Sequence, residues 1–165
     1  MSAFTNAGAV ISIGTADAPT DLDDRATWES DTLIEIGELE DVPSFSDQDA
    51  QVDRTTLKAL RTQVAPGVAE ALVMNMQVTL NDLDDGQIEL DRIRKETPRK
   101  QYNLQIKLPN DPDNGADSKP TLLCFRGYVM GFQYAGGGPN EFNRRTLVFG
   151  ANIFRKFAAV EHTGT

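Results

Sequence analysis

The stretch that decides the fold runs from Phe125 to Phe149 and reads FRGYVMGFQYAGGGPNEFNRRTLVF. A glycine-rich loop that binds phosphate follows a strand and opens a helix, because the helix N-terminus supplies the amide donors. The residues after Gly136–Gly138 alternate instead, with Leu147, Phe149, Ala151 and Ile153 on one face and Thr146, Val148 and Gly150 on the other. This pattern predicts a β-hairpin in which glycine supplies positive φ angles, rather than a nucleotide site.

The first strand of this hairpin is apolar on both of its predicted faces. Alternation divides its side chains into Leu122, Cys124, Tyr128, Met130, Phe132 and Tyr134 on one face and Leu123, Phe125 and Val129 on the other. Two explanations stay open: a neighbouring copy covers one face, or the strand is central and buried on both faces within one subunit. Gly127 and Gly131 are expected on one side of the strand, at a close approach or a bend where the sheet curls.

Two further segments alternate with period two, as half-buried strands do. They are Ala71–Asn81 (ALVMNMQVTLN) and Gln101–Pro109 (QYNLQIKLP). Thr32–Val42 is a third strand candidate, and Ala9–Gly14 is a weaker one. Such patterns are typical of antiparallel sheets, in which one face is buried and the other is more polar.

One helix is predicted between these two strands, within NDLDDGQIELDRIRKETP (81–98). Asp84 or Asp85 is the expected N-cap, and basic side chains occupy the last turns. The expected apolar stripe consists of Ile88, Leu90 and Ile93. Because strands flank it on both sides, the helix is expected to pack against a face or an edge of the sheet.

Some segments do not fit a compact domain. Pro43–Pro66 has no sustained period over 24 residues, whereas ordinary connections have about four to six. We expect this long inter-strand loop to be disordered in the isolated subunit and ordered in an assembly. Residues 1–30 form an N-terminal arm and lead-in, for which disorder and order both stay open, and residues 158–165 form a C-terminal tail.

Composition and charge set further bounds. The 165 residues, 39% hydrophobic and 25% charged, are expected to form a single domain spanning residues 1–165. Residues 1–91 contain 19 acidic and 4 basic side chains, whereas residues 92–165 contain 6 and 12, within a net charge of −9. This asymmetry suits head-to-tail association, and acidic loops that simply maintain solubility explain it equally well. Tight binding to duplex DNA is disfavoured, because it needs a basic surface.

No membrane span and no secretory signal are expected, because the chain lacks about 18 consecutive apolar residues and a basic region before its first apolar run. The default compartment is the cytoplasm.

We also expect no metal site and no cofactor. The order of ligands in a calcium-binding loop fails in DLDDGQIE (82–89) and in NDPDNG (110–115), which is a turn cluster. Cys124 is expected to fill the core, and no motif of a catalytic nucleophile or metalloprotease appears, so the chain is not predicted to be an enzyme.

A series of motifs follows one another along most of the chain. They are Trp28 before LIEIGELEDVPSFS, the long polar loop, VMNMQVTL, NDLDDGQ, YNLQIKLPN, LLCFRGYVMGFQ and NRRTLVFGANIF. Their order and spacing, from about Trp28 to Phe157, resemble those of the major tail tube proteins of long, flexible-tailed bacteriophages.

This resemblance implies a mainly β fold: a small antiparallel β-sandwich rolled towards a barrel, with one flanking α-helix, a long loop and extended terminal arms. It implies hexameric rings that stack into a tail tube, through which DNA passes without specific binding. Further implied partners are the tape measure, tail terminator and distal tail proteins. The implied location is the virion tail, with the host cytoplasm during assembly. An appended C-terminal immunoglobulin-like domain is absent from the sequence, so no external decoration is expected.

The resemblance also directs attention to residues that contact neighbouring copies. The expected self-assembly residues are Phe4, Asp47, Asp49, Asp53, Arg54, Lys58, Arg61, Arg144 and Arg145. Part of the acidic excess is expected to line the lumen, where negative charge repels the phosphates of DNA. The candidates for this lining are Glu38, Glu40 and Asp41.

Other functions stay open. A tube subunit of a contractile tail or of type VI secretion would share the fold implied by the resemblance. A β-sandwich module that binds a small ligand through the long loop would show the same strands.

Overall fold

Strands dominate the described part of the chain, which the computed structural model gives as residues 7–54, 63–113 and 115–163, with the backbone alone at Arg54 and Gln63. The strands are β1 Val10–Ile13, β2 Ile34–Glu35, β3 Asp49–Arg54, β4 Gln63–Ala69, β5 Leu72–Thr79, β6 Tyr102–Lys107, β7 Leu122–Ala135 and β8 Arg144–Phe157. The helices are α1 Arg25–Glu29 and α2 Asp85–Lys95.

Six strands form one antiparallel sheet in the order β2-β1-β6-β7-β8-β5. The sheet curls until its two edges meet. The amide of Glu40 donates to the carbonyl oxygen of Gln77 at 3.0 Å, and the amide of Thr79 donates to that of Glu38 at 2.9 Å. These bonds join the segment after β2 to β5. The predicted fold class, a mainly β chain with an antiparallel sheet rolled towards a barrel, is confirmed, and α1 is a second, short helix.

The two longest strands of this sheet, β7 and β8, form a hairpin. Two irregularities in their pairing change the faces that simple alternation predicts. The register shifts between Arg126 and Gly127 and again between Val129 and Gly131. The first shift inserts Asn152 into β8, and the second inserts Met130 into β7, where it reverses the parity of the side chains that follow. Phe132 therefore packs against the main core and pairs with Leu147, so its predicted place on the face opposite Val129 is wrong. Of the two explanations left open for β7, burial on both faces within one subunit applies to its first half. Its second half is largely exposed.

The glycine run connects β7 to β8, as predicted. A short turn closes the connection, in which the amide of Glu141 donates to the carbonyl oxygen of Gly138 at 3.1 Å. The prediction that these glycines supply positive φ is wrong, because Gly8 is the only described glycine with a positive φ, at 89°. Gly137 instead allows a close approach, since a Cβ there would lie 2.5 Å from the Cβ of Glu141.

Helix α2 covers the face of the sheet that carries the main core. Asp84 is its N-cap and accepts from the amide of Gln87 at 3.0 Å. Leu90 and Ile93 enter the core as predicted, but Ile88 is 51% exposed and does not belong to the buried stripe. The helix lies so close to β2 that a Cβ at Gly86 would come within 2.3 Å of the carbonyl oxygen of Glu35. The glycine of the calcium-like motif is thus a packing residue.

The N-terminal lead-in is ordered where the structure describes it. Strand β1 lies inside the sheet between β2 and β6, and Trp28 of α1 is fully buried with Leu122 and Cys124 against the outer face. Asp31 fixes this segment to β6, because Asn103 Nδ2 and the amide of Thr15 each donate to its carboxylate at 2.9 Å. Burial acts to raise the pKa of Asp31, but the hydrogen bonds outweigh it and hold the pKa below its usual value.

The long segment Pro43–Pro66 has regular structure at both of its ends, which differs from the irregular loop that we expected. Strands β3 and β4 form an antiparallel hairpin, with Val52 opposite Ala65, and β4 continues to Ala69. Residues 55–62 lie outside the described part. We call residues 49–69 the arm. The register of the hairpin is irregular between Asp49 and Gln51.

The C-terminal tail is tied to the body near its start. Val160 and Lys119 exchange backbone hydrogen bonds of 2.9 Å in both directions.

Candidate assembly surfaces

In its described residues the arm exposes three large apolar side chains. Val52, Val64 and Val68 are 51%, 62% and 82% exposed. Strands β3 and β4 pack chiefly against each other rather than against the main sheet. An isolated two-stranded hairpin is marginally stable in water, and exposed apolar side chains on such an element mark a contact surface.

The root of the arm is anchored in the core. The Phe45 ring meets the Phe125 ring edge-on at a centroid distance of 5.1 Å, and the Phe154 ring at 5.2 Å. Such aromatic pairs contribute about 0.5–1.5 kcal/mol beyond their buried area. The arm therefore projects from a fixed point on the subunit.

The acidic residues predicted for self-assembly lie on or beside the arm. Asp47, Asp49 and Asp53 are all exposed, and Asp53 accepts from Gln51 Nε2 at 2.6 Å. Phe4, Lys58 and Arg61 lie outside the described residues, and for Arg54 only the backbone is described, within β3. The sequence prediction selected charged residues here and missed the three valines, which a search for apolar residues inside a polar segment would have found.

Arg144 and Arg145 are neighbours on β8 but lie in different environments. Arg144 is exposed, and its Nε donates to Glu40 at 3.0 Å. Arg145 is buried with a side chain only 3% exposed, pairs with Asp91 of α2, and stacks its guanidinium 3.7 Å from the centre of the Phe132 ring. Its Nε is buried without a hydrogen-bond partner. Arg145 thus joins α2 to the sheet and is not on the surface available to a neighbour.

The three acidic residues proposed for the lumen follow β2, where the two edges of the sheet meet. Glu40 accepts from Arg144 and, at 3.1 Å, from Thr79 Oγ1, so its charge is largely offset. Glu38 has a left-handed φ of 59°, a strained conformation for this residue type. Glu38 and Asp41 are exposed, and no described ion pair involves either side chain.

A second apolar surface lies on the far half of the β7–β8 hairpin and on β5. Its exposed side chains are Val73 and Met130, at 61% and 55%. Tyr134 and Phe142, further along the hairpin, are 67% and 75% exposed, and the Tyr134 ring lies on the side of Arg145, 5.6 Å from its guanidinium. Val73 pairs with Gly150 of β8, and Met130 lies against the same glycine. The resulting patch faces away from the core.

The cavities offer little chemistry. A cavity of about 340 Å³ lies between α1 and β6, and three of the charged side chains along it pair with one another: Arg25 with Glu29, and Lys119 with Glu29 at 3.1 Å. Cys124 is fully buried, and burial raises the pKa of its thiol to about 12, so the thiol stays protonated and unreactive. Within residues 7–54, 63–113 and 115–163, no group of three or more His, Cys, Asp or Glu side chains is arranged to hold a metal.

None of the helices in the described ranges has the length and apolar character needed to cross a membrane.

Comparison with known proteins gives similarity in structure alone. No protein-family model matches the chain, and no curated protein matches it in sequence. A chain of the SPP1 tail tube superimposes with a TM-score of 0.63 at 12% identity, covering 93% of this chain and 78% of that one. This chain shares the fold of a tail tube protein.

Two further structures extend the comparison. A chain of the anti-feeding prophage baseplate, in a 6-fold symmetrised structure, has a TM-score of 0.66 at 11% identity, with 96% and 97% of the two chains covered. A chain from the tail of an empty gene transfer agent particle with C6 symmetry has a TM-score of 0.59 at 17% identity, covering 94% and 100%. At these identities the similarity shows the fold, and the rolled sheet described above is what these chains share.

Proposed function

We propose that this chain is a structural subunit that assembles as stacked hexameric rings into a tail tube, whose channel carries DNA during ejection. The observation that carries the proposal is the rolled sheet, shared with the SPP1 tail tube chain over nearly the whole length of this one. The symmetry of two of the similar assemblies, 6-fold and C6, supports a six-membered ring.

The surfaces of the subunit suit such an assembly. Rings that stack without limit need heterologous contacts, in which one surface meets a different surface of the next copy. The arm provides one exposed apolar surface, and the patch around Val73 and Met130 provides another. In this proposal the arm reaches a neighbouring ring, and burial of its valines on that ring contributes to stacking.

The arm becomes fully ordered when it is bound. Fixing its backbone costs roughly 1–2 kcal/mol per residue, which a marginal hairpin does not recover by itself. Amide exchange measures this directly: residues 47–63 exchange quickly in the free subunit and slowly in the assembled tube. Equal protection in the two states contradicts this part of the proposal.

We propose that Glu38 and Asp41 contribute negative charge to the lumen, so that DNA slides without adhering. Glu40 contributes less, because Arg144 lies 3.0 Å from its carboxylate. Replacing Glu38 and Asp41 with Lys slows or blocks DNA ejection while tubes still form. Unchanged ejection by these variants excludes the lumenal role.

In an assembled tail the partners are the tape measure, tail terminator and distal tail proteins, and the location is the virion, after assembly in the host cytoplasm. A tube of a contractile injection system is the second candidate. The observation that favours it is the TM-score with the anti-feeding prophage chain, which is as high as that with the SPP1 chain. A sheath that co-assembles around the tube distinguishes the two.

Electron microscopy of the purified chain tests the proposal. Hollow filaments or stacked rings are expected. A stable monomer that binds a small ligand saturably, as a β-sandwich binding module does, overturns the proposal.

A further inference from the structure

We propose that the two ends of helix α2 are the two halves of one contact between adjacent copies of this chain. The acidic N-terminal end of α2 in one copy meets the basic C-terminal end of α2 in the next. This inference rests on the proposed function in that copies assemble, and it identifies which surfaces meet.

The acidic end consists of Asp82, Leu83 and Asp85. Both carboxylates are exposed, and no described hydrogen bond or ion pair joins either side chain to the rest of the subunit. Asp84 differs from them because it caps the helix and also accepts from the amide of Gly37 at 3.1 Å. Leu83 is 87% exposed, the largest exposure among the large hydrophobic residues that the structure describes.

The basic end consists of Arg94 and Lys95, with Lys100 just beyond the helix. Lys100 lies 3.4 Å from Glu96, and Arg92, one turn earlier, pairs with Glu89. Arg94 and Lys95 are exposed, and no described ion pair or hydrogen bond involves their side chains. This end therefore retains uncompensated positive charge.

The exposed face of α2 connects the two ends. Asp85, Ile88, Arg92 and Lys95 are spaced three, four and three residues apart, which places them on one side of a helix. An exposed stripe thus runs from acid through an apolar side chain to base. The helix has 11 residues and is about 16 Å long, so the two ends of one copy do not neutralise each other at close range.

The helix dipole explains part of this arrangement, because acids at the N-terminus and bases at the C-terminus stabilise an isolated helix. It does not explain why Leu83, just before the helix, and Ile88, on its exposed stripe, are both exposed, since their exposure to water is unfavourable in the free subunit. A second copy accounts for both observations. Its basic end supplies the opposite charge, and the contact removes the apolar side chains from water.

The test is a charge exchange. One variant carries Asp82→Lys and Asp85→Lys, a second carries Arg94→Glu and Lys95→Glu, and a third carries all four changes. Ring and filament formation is followed by sedimentation and electron microscopy, and folding by circular dichroism on the same samples. We expect both two-site variants to lose assembly, because each places like charges at the contact, and the four-site variant to regain it.

Mixing the two two-site variants gives a sharper result. In an alternating ring every contact pairs opposite charges again, so the mixture assembles although neither component assembles alone. Such alternation closes only in a ring with an even number of subunits. A mixture that stays unassembled, or that yields only dimers, contradicts the head-to-tail contact.

The exposed leucine gives an independent measurement if a charge variant fails to fold. Leu83→Ser removes no packing within the subunit, so its melting temperature stays unchanged while assembly weakens. If the wild-type chain assembles and all of these variants assemble equally well, the inference fails and the proposed function stands. If the wild-type chain itself never assembles, the proposed function fails.

Discussion

Gly127 lies beside a bulge, where the backbone of β8 packs tightly against β7. A Cβ at this position would lie 1.9 Å from the carbonyl oxygen of Gly150, a distance that no backbone adjustment of a few tenths of an ångström removes. We predict that Gly127→Ala lowers the free energy of unfolding by about 1–3 kcal/mol, the usual effect of overpacking a core. Urea unfolding followed by circular dichroism measures it.

Gly131 provides the matched control in the same strand. The nearest atom to a Cβ there is Arg94 Nε at 3.7 Å, an ordinary contact. Gly131→Ala should therefore change the free energy of unfolding by no more than about 1 kcal/mol. Because glycine loses more backbone entropy on folding than alanine does, the change is expected in the stabilising direction. Equal losses in the two variants would show that the close approach at Gly127 is not the cause.

Asp91 holds the buried guanidinium of Arg145, which stacks on Phe132 beneath α2. Removing one partner of a fully buried pair costs about 3–5 kcal/mol, but Asp91 is 45% exposed, so solvent screening reduces the loss. We predict that Asp91→Asn lowers the free energy of unfolding by about 1–3 kcal/mol. The matched control is Glu40→Gln, which breaks the exposed pair with Arg144 and should cost about 0–1 kcal/mol. A larger loss in the control would contradict the role given to burial.

At the scale of elements, the sequence predicts best where a single period is sustained. Strands β5 and β6 alternate over their whole length, and α2 has a capping residue and an apolar pair that enters the core. Helix α1 was not predicted, because five residues are too few for a helical period to emerge. Phe132 was assigned to the wrong face of β7, because a bulge adds one residue without leaving a pattern in the sequence.

Contact surfaces are harder to predict from a sequence than the fold is. Arg145 was predicted to be a self-assembly residue on the basis of its charge alone. Its burial depends on tertiary packing against Asp91 and Phe132. Alternation cannot show which apolar residues remain exposed, so the exposure of Leu83 emerges only from the structure.

The arm is an element that the core does not need. Its strands pack chiefly against each other, and its root is held separately by Phe45. We predict that replacing residues 50–68 with a short Gly-Ser linker leaves the melting temperature of the subunit within a few degrees of the wild type and abolishes filament formation.

A milder variant tests the apolar contact made by the arm while keeping its hairpin structure. Val52→Thr, Val64→Thr and Val68→Thr keep the β-propensity of the arm but replace exposed methyl groups with hydroxyls. We expect the hairpin to persist and the critical concentration for filament formation, measured by sedimentation, to rise. Filaments that form normally in both the deletion and the threonine variant would exclude the arm from stacking.

At the scale of the whole molecule, the subunit has three features that suit polymerisation. The sheet is rolled so that its edges meet, the arm exposes apolar side chains, and charge is divided between the two parts of the sequence. A net charge of −9 opposes association at low ionic strength, so complementary surfaces must offset this repulsion wherever copies meet.

The symmetry of filaments formed by the purified chain tests the central claim most directly. Helical reconstruction from electron micrographs should give stacked rings of six subunits around an open channel, with the arm resting on the adjacent ring. A chain that stays monomeric at every concentration tested, or that forms filaments without a channel, would contradict the account.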